Sequence, residues 1–136
     1  MQMRFRDICS LAGVVTTLLL LANTSLAQPP EAPAKRLKNP AVVRGFIGGE
    51  SHDSYVIRAT KGRLMTVQIS WRREGDNHAG FTVSQMRGFF GAEAVSFGDT
   101  THNEKRWTGK IPKTANYYIY VVAHPSAHYT LRVTIK

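Results

Sequence analysis

Leu64-Met65-Thr66-Val67-Gln68-Ile69-Ser70-Trp71 sets Met65, Val67, Ile69 and Trp71 on one side of an extended chain, with Thr66, Gln68 and Ser70 on the other. Successive side chains of a strand point to opposite faces, so this period of two marks a strand with one face in a core and one in water. The chain ends on the same pattern: Tyr129, Leu131, Val133 and Ile135 alternate with His128, Thr130, Arg132 and Thr134. Between and before these runs, residues 53–60, 80–85, 106–111 and 116–123 also read as strands, and residues 42–47 and 92–97 as less regular ones. Lys61-Gly62, Gly75-Asp76-Asn77 and His124-Pro125-Ser126 separate the runs with residues that favour turns.

About eight short strands and no helical period after residue 27 predict an all-β fold, a single antiparallel β-sandwich over residues 41–136. A closed barrel with a similar strand count satisfies the same pattern. The expected core draws on Tyr55, Ile57, Met65, Val67, Ile69, Phe81, Val83, Trp107, Tyr117, Ile119, Val121, Tyr129, Leu131 and Val133.

Upstream of the sandwich the composition changes twice. Arg4 and Arg6 precede an apolar run from Leu11 to Ala22, and Ser25-Leu26-Ala27 follows with small residues suited to a signal peptidase. This layout predicts a cleaved secretory signal over residues 1–27, because a run of 12 apolar residues is short of the ~20 that span a bilayer. The expected location is periplasmic or secreted, and the chain is not expected to span a membrane. Residues 28–40 hold Pro29, Pro30, Pro33 and Pro40 among Lys35, Arg36 and Lys38, and read as a solvated basic tether.

The sequence has 136 residues, 18 Lys and Arg against 9 Asp and Glu, and a net charge of +9. Removing the signal with Arg4, Arg6 and Asp7 leaves sixteen basic and eight acidic residues, a net +8. Such a basic protein suits anionic partners: an acidic cleft on another protein, or an anionic envelope component such as phospholipid head groups or lipopolysaccharide. Nucleic acid is not expected, since export removes the protein from it and the aromatic and basic residues do not interleave. Cys9, the one cysteine, lies within the signal, so no disulfide supports the mature domain.

Catalytic chemistry is not expected. No serine, threonine or cysteine stands in a recognisable nucleophile setting, and scattered Ser, His and Asp residues do not make a triad. His124 and His128 have a metal-ligand spacing only on a helix, which Pro125 and the strand pattern forbid. His52-Asp53 and Asp76-Asn77-His78 read as solvated turns, and Glu50 with Asp53 fits a carboxylate pair no better than many other choices. Glu74, Asp76 and Asn77 offer three oxygen-bearing side chains, too few for a calcium loop. No metal and no cofactor are assigned.

Binding surfaces are more legible. Arg72 and Arg73 follow Trp71 into a polar turn, and Met86-Arg87-Gly88-Phe89-Phe90-Gly91 puts adjacent aromatics beside an arginine. Either one of Phe89 and Phe90 is exposed as a partner anchor, or both plug the end of the sandwich. Tyr118 and Tyr120 share the outer face of their strand and form a second aromatic surface unless something covers them.

Gly45-Phe46-Ile47-Gly48-Gly49, Asp53-Ser54-Tyr55, Ala59-Thr60-Lys61-Gly62 and Val67-Gln68-Ile69-Ser70 form one half of a longer pattern. Gly109-Lys110-Ile111-Pro112, then Tyr117 and Val121, and the closing Tyr129-Thr130-Leu131-Arg132-Val133 complete it. Together they resemble the periplasmic inhibitors of g-type lysozyme, and more distantly the bacterial pre-peptidase C-terminal domains, over residues 45–136. The inhibitors' proline, any residue, serine, glycine, any residue, tyrosine turn stands here as Pro112-Lys113-Thr114-Ala115-Asn116-Tyr117. Glu50 stands where they tend to carry an aromatic, and their late arginine-bearing loop is shortened to His124-Pro125-Ser126-Ala127-His128. The resemblance implies a sandwich that blocks g-type lysozyme by inserting end loops into its carboxylate-lined groove. The partner-binding residues it implies are Glu50, His52, Thr114, Asn116, His124 and Ser126. The alternative is an envelope glycan- or protein-binding module of the pre-peptidase C-terminal type without inhibitory activity, using Arg72, Arg73, Arg87, Phe89 and Phe90.

Overall fold

Leu64–Trp71 forms a strand over its whole length and lies in the middle of a sheet, which is why its inward side chains are all apolar. The computed structural model describes residues 30–136, and the expected signal peptide lies outside them. Those residues form β1 (Lys35–Arg36), β2 (Ala41–Gly48), β3 (Asp53–Ala59), β4 (Leu64–Trp71) and β5 (His78–Ser84). They continue with β6 (Asp99–Thr101), β7 (Arg106–Lys110), β8 (Ala115–His124) and β9 (Ser126–Ile135), and include no helix. The strands make two open sheets, ordered β1-β3-β8-β5 and β2-β9-β4-β7-β6. Every pairing is antiparallel except β1 with β3. The fold is the all-β sandwich, and neither sheet closes into a barrel.

Register explains the core. Val67 pairs with Val133 and Trp107, and Ile69 with Leu131, so the inward residues of the five-stranded sheet form continuous rows. Tyr55 pairs with Ile119 and Ile57 with Tyr117 in the facing sheet, and Val83 lies beside Ile119. All fourteen expected core residues are buried except Phe81, which is partly buried against the core. Trp107 fits only because its neighbours lack side chains. A Cβ on Gly109 would stand 2.5 Å from the indole, and one on Gly98 2.6 Å from it.

Two expectations are corrected. Residues 92–97 alternate like a strand but form no ladder; they cross the open side of the sandwich with Val95 and Phe97 tucked against the core. The strand is β6, three exposed residues further on. The solvated tether is also corrected from Lys35 onward. Lys35 and Arg36 pair in parallel with Tyr55 and Val56, the Leu37 N–H donates to the Val56 carbonyl at 2.8 Å, and the Leu37 side chain is buried. Asn39 then fastens the end of β9, accepting from Ile135 N–H at 2.8 Å and donating to its carbonyl at 2.7 Å.

The β6–β7 hairpin holds His102, Asn103 and Glu104 in succession at φ of 56°, 52° and 63°. A left-handed conformation costs a side-chain-bearing residue ~1–2 kcal/mol, least for asparagine. Glu104→Gly is therefore expected to raise stability by about 1 kcal/mol, seen as a higher urea midpoint at unchanged slope. No gain in midpoint would show that the glutamate side chain offsets the strain.

Candidate functional site

Three connections meet at one pole of the sandwich. The β2–β3 loop carries Glu50 and His52; the β4–β5 turn carries Arg72 and Arg73; Pro125 alone joins β8 to β9, between His124 and Ser126. Gly49 N–H donates to the Pro125 carbonyl at 3.0 Å, closing the first connection on the third. Asn77 binds the second to the third. Its amide donates to the carbonyls of Arg72, at 2.9 Å, and Ser126, at 3.2 Å, while its side-chain oxygen accepts from Glu74 N–H at 3.0 Å. That oxygen is thus committed to holding the turn, and no group of three or more metal-ligating His, Cys, Asp or Glu residues occurs among the described residues.

A buried polar chain stiffens the pole from beneath. Tyr55 of β3 donates to Tyr129 of β9 at 2.5 Å, and Tyr129 donates to the Asp53 carboxylate, so the chain crosses from one sheet to the other. Burial pushes the Tyr129 phenol far above its ordinary range, and its hydrogen bonds with Asp53 and Tyr55 add to the shift. Burial likewise raises Tyr55. Gly45 on β2 leaves room for the Tyr129 ring, since a Cβ there would lie 2.6 Å from the hydroxyl.

The two candidate sets converge on His52. Its imidazole stacks on Phe89 at 4.0 Å between centroids, with the planes 13° apart, and meets Phe90 edge-on at 5.9 Å. Phe89 also packs edge-on to Tyr120, whose hydroxyl donates to the Met86 carbonyl at 2.6 Å. The segment after β5 therefore folds back over the outer face of the four-stranded sheet and covers Tyr120, while Tyr118 stays half-buried. Phe89 serves as packing and Phe90, 67% exposed, as the protruding aromatic. The clasp is Glu31. Its two carboxylate oxygens accept from Phe89 N–H at 2.8 and 3.0 Å, and one lies 3.1 Å from His52 Nε2.

Thr114 and Asn116 are not part of this pole. Asn116 pairs with Arg58 and His124 with His78, so β8 separates Asn116 from His124 by roughly 26 Å at ~3.3 Å per residue. Thr114 Oγ1 accepts from Lys61 N–H at 2.9 Å and serves the β3–β4 turn. The Asn116 side-chain oxygen is buried and has no hydrogen-bond partner. Arg87 is exposed beside the aromatic pair. Sequence reasoning missed Glu31, whose partners are distant in the chain, and Asn77 as the hub of the pole. A hollow of about 430 Å³ between Phe81, Val95, Phe97 and Trp107 includes none of the expected site residues.

No family model matches the chain, and no curated protein matches it in sequence. Among solved structures, it is similar to the Aeromonas hydrophila periplasmic inhibitor of g-type lysozyme, PliG. The TM-score is 0.61 and the identity 20%, over 76% of this chain and 96% of that one. The Salmonella Typhimurium PliG matches at TM-score 0.53 and 21% identity, over 77% and 100%. The pre-peptidase C-terminal domain of a Bacillus anthracis collagenase matches at 0.57 and 16%, over 79% and 100%. The chain shares its fold with periplasmic inhibitors of g-type lysozyme and with a pre-peptidase C-terminal domain.

Proposed function

We propose that the protein is an exported, non-enzymatic binding domain that blocks g-type lysozyme by inserting the pole carrying Glu50, His52, His124 and Ser126 into the enzyme's groove. The observation that carries this reading is their convergence, with Arg72 and Arg73, at one end of a sandwich with the inhibitors' fold. A stiff rim loses little conformational entropy on docking, and the protruding Phe90 supplies the aromatic anchor that interfaces favour. The basic excess complements a carboxylate-lined groove and speeds encounter. The signal-like N-terminus and the periplasmic inhibitors of the same fold both support a periplasmic location.

The test is titration of g-type, c-type and i-type lysozymes with the processed protein on cell-wall substrate. The expected result is stoichiometric inhibition of the g-type enzyme, weakened at least about tenfold by His52→Ala or Phe90→Ala and unchanged by Thr114→Ala, which lies at the far pole. Absence of inhibition in every class at micromolar protein would sink the reading. Retained binding to isolated envelope material would then favour the second reading, a glycan- or protein-binding module, for which Phe90 is again the exposed aromatic.

A further inference from the structure

The outer face of the five-stranded sheet is basic, and the reading above uses it only at its pole edge, where Arg72 stands. Register puts Arg44, Thr130 and Ser70 in one row, and Val42, Arg132, Gln68 and Arg106 in the next. Towards the pole, His128 lies against Phe46, with ring centroids 4.6 Å apart, and its carbonyl accepts from Arg72 N–H at 3.0 Å. Arg44, Ser70, Arg72, His128 and Thr130 line one groove of about 330 Å³.

Four guanidinium groups therefore share a face. Two ion pairs occur among the described residues; one of them, Arg72 with Glu74 at 3.3 Å, touches this face, and Arg44, Arg106 and Arg132 have no carboxylate partner there. Like charges gathered on a sheet face cost stability, so an anion that neutralises them binds with that repulsion as part of its gain. The donors define which anion. Arg44 and Arg72, the latter also paired with Glu74, offer guanidinium donors to phosphate oxygens, and the Ser70 and Thr130 hydroxyls add neutral donors. The volume is that of a small-molecule site.

We propose that this groove binds a phosphate group, free or carried by a small monoester. The groove adjoins the loop pole and shares Arg72 with it, and the proposal stands whether or not the protein inhibits a lysozyme.

The experiment is a titration of the isotopically labelled, processed protein at constant ionic strength, following backbone amide shifts. The probes are glucose 1-phosphate, inorganic phosphate and glucose. Expected are saturable shifts at Arg44, Ser70 and Thr130 with glucose 1-phosphate and with inorganic phosphate, and none with glucose. Arg44→Ala with Arg72→Ala raises the glucose 1-phosphate Kd by at least about tenfold, while Lys110→Ala, outside the groove, leaves it unchanged. Both are surface changes, and unaltered amide spectra elsewhere verify the fold. Shifts that are absent, unsaturable, or indifferent to the double substitution overturn the site. Equal shifts with glucose overturn the phosphate assignment.

Discussion

Tyr129→Phe is expected to lower the unfolding free energy by about 3 kcal/mol, and Tyr55→Phe by about 1 kcal/mol, although both remove one hydroxyl from the same buried chain. The asymmetry follows from who donates to whom. Tyr55 donates to Tyr129, and Tyr129 donates to Asp53. Without the Tyr55 hydroxyl, Tyr129 still satisfies the carboxylate. Without the Tyr129 hydroxyl, a carboxylate loses its charge-assisted donor and the Tyr55 hydroxyl, on a side chain 2% exposed, loses its acceptor. Urea unfolding of both variants checks this, and equal losses within about 0.5 kcal/mol would refute the direction of the chain.

The same chain sets the alkaline behaviour. Tyr129 and Tyr55 ionise at higher pH folded than unfolded. Above the ordinary tyrosine pKa of ~10 the unfolded chain therefore binds fewer protons than the folded one, and stability falls as pH rises. The contribution is fully present below that pH. Each such phenol steepens the fall by up to ~1.4 kcal/mol per pH unit, so Tyr129→Phe is expected to flatten it. A variant with the parent's slope above pH 10 would contradict this.

The strands were legible because a half-buried sheet writes its geometry into alternate residues, as Met65, Val67 and Ile69 do on β4 and Leu131 and Val133 on β9. The signal failed where alternation had another cause. Val95 and Phe97 point inward from a loop that fills the open side of the sandwich, with one ladder-like bond from Val95 N–H to Val83. Two-residue β1 is too short for a period to show, and its prolines and lysines describe the segment around it rather than the buried Leu37. Of the six residues that the resemblance implies, Glu50, His52, His124 and Ser126 lie at one pole, whereas Thr114 and Asn116 lie at the other end. The expected strand over residues 116–123 itself sets Asn116 and His124 at opposite ends of the sandwich. The link from Glu31 to Phe89 spans 58 residues, and no local pattern records it.

Removing residues 28–37 is expected to destabilise the domain by about 2–3 kcal/mol and to lower Tm by roughly 10–15 °C, a large effect for a stretch composed like a spacer. The main contribution is the Leu37 side chain, 8% exposed within the core. Its loss costs up to about 2 kcal/mol of apolar burial, and the deletion also strips the β1 pairing from the edge of β3, against the entropy recovered by no longer ordering the segment. Glu31→Ala divides this effect. It keeps Leu37 and β1, so Tm is expected to fall only a few degrees by the same scaling. It also frees Phe89 N–H and takes the carboxylate from His52, so the expected signature is faster hydrogen exchange at Phe89 and its neighbours. An unchanged Tm on deletion would restore the spacer reading. Unchanged exchange in Glu31→Ala would show that stacking on His52 and packing on Tyr120 hold the loop unaided. If both effects appear, the aromatic that protrudes at the pole depends on a residue from the segment that the expected cleavage exposes. The new N-terminus then helps to build the surface through which the protein is proposed to bind.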